Sequence, residues 1–389
     1  MNRSTKFIPF ARPSLGAEEE EAALRVIRSG WLTSGKEARA FEQEFADEVG
    51  SKHALAVNSA TSGLHIAALA VGIGPGSRVA VPTYTFTSTA AVIVHAGAVP
   101  VLVDVDPETL NIDLKAVRTA CEHGRVDAVI PVHMAGLGAS MEGLLALSRN
   151  YGFSVIEDAA HAFPCPTEYG HLGTIGSVGV YSFYANKTIT TGEGGMVVTD
   201  DDDTAKRLQR LRLHGFDRDA WDRYTSRTAS WAYRVVEAGF KYNLPDLSAA
   251  IGRVQLKRAY AMRDRRAQIA AFYHESLADA DFLRLPRWAD SHSWHLYIVQ
   301  LDPARLSITR AEFIEALAER GVGSSVHYVP LHLMPYYQEA FGYAAGDFPQ
   351  AERAAERVVS LPIYPDLTDE DLAFIVESVL DVGSRNQPS

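Results

Sequence analysis

A mainly parallel α/β sheet followed by a smaller α+β unit is the fold class this sequence predicts. Short β-branched runs recur through the first half: HALAVN (53–58), SRVAVP (77–82), VPVLVD (99–104), VDAVIPV (126–132) and FSVIED (153–158). Helical patterns separate them, and the runs are apolar throughout, as in strands covered on both faces. After about residue 245 this alternation stops.

The segments between the runs, 62–71, 85–96, 113–122 and 140–151, are amphipathic or alanine-rich and read as helices. VGVYSFY (178–184) and GMVVTD (195–200) read as two adjacent strands. Beyond them come a long arginine-rich helix over 247–277, a strand WHLYIVQL (294–301) and a helix near 309–320. A strand near 322–328 and a C-terminal helix near 368–381 complete the pattern. The expected division is a large domain, 1–250, and a small C-terminal α+β domain, 251–389, with the N-terminal segment free to pack on the latter.

The chain has 389 residues, 47% of them hydrophobic and 22% charged, enough for a large core. A net charge of -11 offers no global basic field to nucleic acid or to an anionic membrane. Two cysteines, Cys121 and Cys165, make neither a disulfide framework nor a paired zinc motif. The stretch 87–103 is apolar but carries His95, Gly97 and Pro100, so it reads as helix, turn and strand, not as a membrane span. MNRSTKFIPFARPSLG lacks the apolar region of a signal peptide, and the expected location is the cytoplasm.

Ligands of open α/β sheets sit at the carboxyl ends of the strands. Three polar groups fall there: NSATSG (58–63), which follows the first strand; Asp158, ending FSVIED, with His161 a turn later; and Ser182 with Lys187, in YSFYANKTITTGEGG. Each has an ordinary explanation alone, since NSATSG and Asp158 are good helix caps and most lysines are solvated. A P-loop is excluded because the glycines follow Lys187 instead of preceding it, and no G-x-G-x-x-G follows the first strand. One chemistry uses all the parts. Pyridoxal 5'-phosphate (PLP) needs an amine for its aldehyde, a carboxylate for its pyridine nitrogen and an anion cup for its phosphate. Phe86, in PTYTFTST (82–89), is the candidate ring to stack on it.

NSATSGL, PTYTFTSTA, PVHMAG (131–136), VIEDAAHA (155–162), YSFYANKTITTGEGG and VHYVPLH (326–332) occur in this order. The set resembles the DegT/DnrJ/EryC1/StrS family of sugar aminotransferases, over roughly residues 7–382. The resemblance implies the aspartate-aminotransferase-like (type I) fold of PLP-dependent transferases. HGFDRDAWDR (214–223) and GFKYNLPDLSAAIG (239–252) most resemble the branch that aminates C4 of nucleotide-linked 4-ketosugars. By that resemblance the cofactor-bearing lysine falls on Lys187 and the pyridine-nitrogen aspartate on Asp158. The residue bonding the phenolic oxygen falls on His161. Thr61, Ser62 and Ser182 fall on phosphate ligands, Phe86 on the stacking aromatic, and His327 near the sugar nucleotide. Where many members have G-x-N-x-R reaching a neighbouring subunit's phosphate, this chain has Gly239, Lys241 and Asn243. Either Lys241 or Asn243 is expected to make that contact, in a homodimer with shared sites. The implied reaction moves an amine from an amino acid, L-glutamate by family analogy, to a nucleotide-diphospho-4-ketosugar. C3 amination, a PLP-dependent sugar dehydratase and a non-enzymatic sensor are the alternatives. Lys187 speaks against the dehydratase branch, which has histidine there.

Overall fold

The computed structural model describes residues 7–217 and 234–387. Its strands begin with β1 (His53–Val57), β2 (Arg78–Pro82), β3 (Val99–Val103), β4 (Ala128–Val129) and β5 (Ser154–Asp158). A small hairpin, β6 (Pro166–Thr167) and β7 (Gly170–His171), precedes β8 (Val178–Ser182) and β9 (Gly195–Thr199). Seven of these form one sheet in the order β1-β9-β8-β5-β4-β2-β3. Neighbours from β8 to β3 pair in parallel, and β9 alone is antiparallel to both its neighbours. The two runs flanking Lys187 are therefore adjacent, and every strand except β9 points its carboxyl end to the same edge. The fold is that of a type I, aspartate-aminotransferase-like α/β protein. The run 126–132 yields only two ladder residues, because Pro131 has no N–H to continue the pairing.

Helices Ala60–Ala70, Ser88–His95, Leu114–Glu122 and Met141–Tyr151 occupy the segments whose periodicity predicts them. Helix Ala60–Ala70 lies very close to the sheet. A Cβ on Gly63 would meet Val180 Cγ1 at 2.7 Å and Val197 Cγ2 at 3.0 Å. Two N-terminal helices, Ala17–Ser29 and Lys36–Val49, pack on the long helix Asp246–Ser276. Arg253 of that helix bridges Glu37 at 2.6 Å and Glu44 at 2.5 Å.

A second sheet, β10 (Leu283–Arg284), β11 (Tyr297–Leu301) and β12 (Val358–Leu361), is antiparallel and is backed by helices Arg310–Glu319 and Asp369–Arg385. Its core gathers Tyr273, Tyr297, Phe313, Ile375 and Val379, and takes in Ile8 from the start of the described chain. The strand expected over 322–328 is not there. Val322 bridges only Ile8 and Ser325 only Ser360, after which the chain turns away from the sheet. That departure carries His327 and Tyr328 to the edge where β5 and β8 end. Of HGFDRDAWDR, residues 218–223 lie outside the described residues. Among the described residues no helix is long and apolar enough to cross a membrane.

Candidate active site

The carboxyl ends of β1, β5 and β8 surround a cavity of about 450 Å3, within the usual range for small-molecule sites. Thr61, Phe86, Asp158, His161, Ser182, Lys187 and His327 all line it. A larger open groove of about 1440 Å3 lies against the C-terminal helix Asp369–Arg385, far from these groups, and carries no comparable convergence of amine and acid.

Asp158 is the last residue of β5 and is 4% exposed. Its Oδ2 accepts from Thr89 Oγ1 at 2.9 Å and its Oδ1 from the Ala160 amide at 3.2 Å. Burial nonetheless pushes its pKa up, against those bonds and the nearby Lys187 and His133. Such a carboxylate gains most from a cationic N–H donor. The preceding residue, Glu157, points to the opposite face, as strand alternation requires. There it takes donors from His133 Nε2 at 2.9 Å and from the amides of Gly173, Ile175 and Gly176. His133 Nδ1 accepts from the Ala139 amide at 3.1 Å. This buried cluster pins the strand end that presents Asp158.

Lys187 follows β8 in the loop that returns as β9. Its Nζ lies 3.3 Å from His295 Nε2. Burial drives its pKa from 10.5 down to about 7; Asp158 opposes the shift and Arg266 adds to it. At neutral pH a large share of Lys187 is therefore the free amine, the form that attacks a carbonyl. His161 sits beside it, its ring 4.5 Å from that of His295. Its Nε2 pairs with Tyr328 Oη at 3.1 Å, while Nδ1 has no partner among the described residues. Burial first, then Lys187 and His327, holds His161 far below the ordinary histidine pKa, so the ring is neutral.

The hydroxyl-rich turn divides its labour. Ser59 caps helix Ala60–Ala70, accepting from the Ser62 amide at 3.1 Å. Ser59, Ala60 and Thr61 face the cavity, and the helix start favours an anion there. Ser62 does not line the cavity; its hydroxyl donates to Asn58 Oδ1 at 2.7 Å. Phe86 is 56% exposed, at the cavity wall with its ring 6.1 Å from Tyr328. His327 hydrogen-bonds Ser360 Oγ through Nδ1 at 2.8 Å, and burial lowers its pKa to about 4. Lys241 and Asn243 stay outside this chain's own cavity. Lys241 Nζ donates to Asn243 Oδ1, and Asn243 Nδ2 donates to Ser34 Oγ at 2.6 Å. The segment lies beside the end of β1, where Asn243 bridges Val57.

Sequence reading missed His295, Tyr328 and Thr89. Thr89 and Tyr328 stand inside quoted motifs, PTYTFTSTA and VHYVPLH, whereas His295 lay hidden in a run read only as a strand.

The residues present fit PLP: an amine of lowered pKa, a buried carboxylate, a helix start with hydroxyls, and an imidazole nitrogen without a partner among the described residues. Fold and site together define a PLP-dependent aminotransferase. The DegT/DnrJ/EryC1/StrS aminotransferase family model matches residues 13–380, and the chain belongs to that family. The spore coat polysaccharide biosynthesis protein SpsC of Bacillus subtilis is 43% identical over 385 residues, covering 98% of each chain. PseC of Helicobacter pylori, an aminotransferase involved in pseudoaminic acid biosynthesis, superposes with a TM-score of 0.90 at 28% identity, covering 98% of this chain and 100% of that one. Spr1654 of Streptococcus pneumoniae, described as a sugar aminotransferase and solved in a PLP form, gives a TM-score of 0.88 at 29% identity, covering 97% of this chain and 99% of its own.

Proposed function

We propose that the protein transfers an amine from an amino acid, L-glutamate by family analogy, to C4 of a nucleotide-diphospho-4-keto(-6-deoxy)hexose. The observation that carries the reading is the meeting of Lys187, Asp158, His161 and Ser182 around one cavity. The sugar substrate is supported by the relatives, named for polysaccharide, sugar and pseudoaminic acid chemistry. C4 over C3 rests on GFKYNLPDLSAAIG and its neighbouring motif.

When bound, PLP supplies an electron sink for a carbanion at the amino acid's α-carbon. In this reading Asp158 holds the proton on the pyridine nitrogen, and His161, through Nδ1, donates to the phenolic oxygen. Its Nε2 then accepts from the Tyr328 hydroxyl. Thr61, Ser62 and Ser182 would receive the phosphate, Ser62 after turning from Asn58, and Phe86 would supply the stacking ring. Lys187 would hold the aldehyde of the cofactor, and its free amine would move the proton as general acid and base. His327 faces the sugar nucleotide. Lys241 or Asn243 reaches the neighbouring subunit's cofactor, making a homodimer with shared sites. We further take residues 1–250 as the cofactor domain and 251–389 as the small domain, and the cytoplasm as the location.

Incubation with 15N-labelled L-glutamate and a panel of UDP- and TDP-4-ketosugars tests this. The expected product bears 15N at C4 by NMR. Label at C3 would replace the regiochemistry, and no transfer from any amino acid to any sugar would overturn the reading.

A further inference from the structure

Lys187 Nζ has one near polar neighbour that the preceding chemistry leaves unused, His295 Nε2 at 3.3 Å. His295 arrives from the segment just before β11 and is 3% exposed. Arg266, buried in the long helix, donates from Nη1 to the carbonyls of Ile363 at 2.6 Å, His295 at 3.3 Å and Trp294 at 3.5 Å. These bonds fix the backbone that carries the ring. Burial first, then Lys187, His161, Arg266 and His327, drives the His295 pKa far below its ordinary value.

An ammonium can only donate, so toward the charged form of Lys187 the neutral ring accepts at Nε2 and carries its own proton on Nδ1. Among the described residues His295 Nδ1 has no hydrogen-bond partner. A second cavity, of about 10 Å3, adjoins the ring and is bounded by His161, Ser182, Lys187 and Thr188. That is room for about one water molecule, which would accept the Nδ1 proton.

We propose that His295 is a positioning residue for the transfer chemistry: its Nε2 accepts from Lys187 Nζ and holds that amine at the cavity wall whenever it is free. This rests on Lys187 being the lysine that carries PLP. The titratable and charged groups that act on Lys187 or share its cavity are Asp158, Glu193, Arg266, His161, His295, His327, Tyr184 and Tyr328. Of these, the carboxylates of Asp158 and Glu193 and the acceptor nitrogen of His295 favour the ammonium form.

The first measurement is the pH dependence of Lys187 acetylation by acetic anhydride in the full chain stripped of cofactor, read by peptide mass spectrometry. His295→Phe removes the acceptor and should make Lys187 more acidic by about threefold or more. His295→Gln restores an acceptor oxygen and should restore the midpoint. In the loaded enzyme His295→Phe should lower kcat by up to about 100-fold, with KM for the amino acid changed far less. An unchanged or raised midpoint in His295→Phe would overturn the proposal, because a purely structural ring gives no such shift. Wild-type protein with 15N-labelled histidine provides a second route that needs no variant to fold. The Nδ1–H tautomer of His295 is expected; the Nε2–H tautomer or an imidazolium refutes it. Borohydride reduction and peptide mapping of the wild type identify the PLP-bearing lysine. A lysine other than 187 sinks the functional reading, whereas labelled Lys187 with no shift in His295→Phe sinks this inference alone.

Discussion

Around Lys187 the protein places Arg266 and three imidazoles, His161, His295 and His327, against the carboxylate of Asp158. The side chain is half-buried, so its ammonium form loses hydration. An unfolded lysine keeps its proton up to about 10.5, and this one gives it up near 7. Between those values the unfolded chain binds more protons, so the cost of burying the cation is full below pH 7 and fades toward pH 10.5. Lys187→Met should therefore raise the melting temperature of the cofactor-free chain most at pH 6–7 and progressively less toward pH 10. A gain independent of pH in calorimetry would refute the charged-amine account. Thr89 offers a second test. It is fully buried, and its hydroxyl is one of two donors to Asp158. Thr89→Val keeps the shape and removes the donor, a loss of about 1.5–3 kcal/mol for a bond to a charged group. If that loss is felt in the transition state, kcat falls about 10–100-fold. An unchanged kcat would show that Thr89 does not orient the acid.

At the scale of elements, helix Ala60–Ala70 is positioned by the residue it lacks a side chain for. Gly63→Ala would gain about 1 kcal/mol of helix propensity. It would also drive a methyl into Val180 and Val197, and overpacking costs about 1–3 kcal/mol. Strain wins: the variant should melt earlier and bind PLP more weakly, read by thermal denaturation and cofactor fluorescence. What could be read from sequence follows the same logic of locality. Asp158, Ser182 and Lys187 end or follow apolar strands, and the parallel sheet brings those ends together. The five runs of the first half, the helices between them and the long helix after 245 were all legible from periodicity. His295 was not, because its partner lies 108 residues earlier and nothing local distinguishes its ring from a core histidine. The Glu157–His133 cluster was hidden for the same reason. The segment 322–328 misled because its valines look strand-like, while its backbone finds only single bridges to Ile8 and Ser360.

For the molecule as a whole, the site is assembled across two cores. Tyr84 Oη donates to the His327 carbonyl at 2.5 Å, and Tyr328 meets His161, so residues 327 and 328 complete the cavity wall against the large sheet. Helix Asp246–Ser276 supports both, with buried Ala249 and Leu256 at one end and Ile269 and Tyr273 at the other. Lys241 and Asn243 lie outside the cavity, which is what a contribution to another subunit requires. Mixing an inactive Lys187→Ala chain with a chain carrying Lys241→Ala and Asn243→Ala should restore activity that neither has alone, because one hybrid site is intact. Failure to complement in mixtures shown by mass spectrometry to exchange subunits would refute the shared site.

The reversed direction of β9 has a kinetic meaning. The end of β1 leads away into helix Ala60–Ala70 and that of β5 into a small hairpin, but residues 183–194 go out and come straight back as the neighbouring strand. Ser182 pairs with Gly195, and the Phe183 amide bonds the Gly194 carbonyl at 2.9 Å, so both feet of that excursion are stitched into the sheet. An amine on such a short leash can let go of its partner and still be found within reach at the next instant. Its effective concentration stays far above anything a dissolved amine could supply.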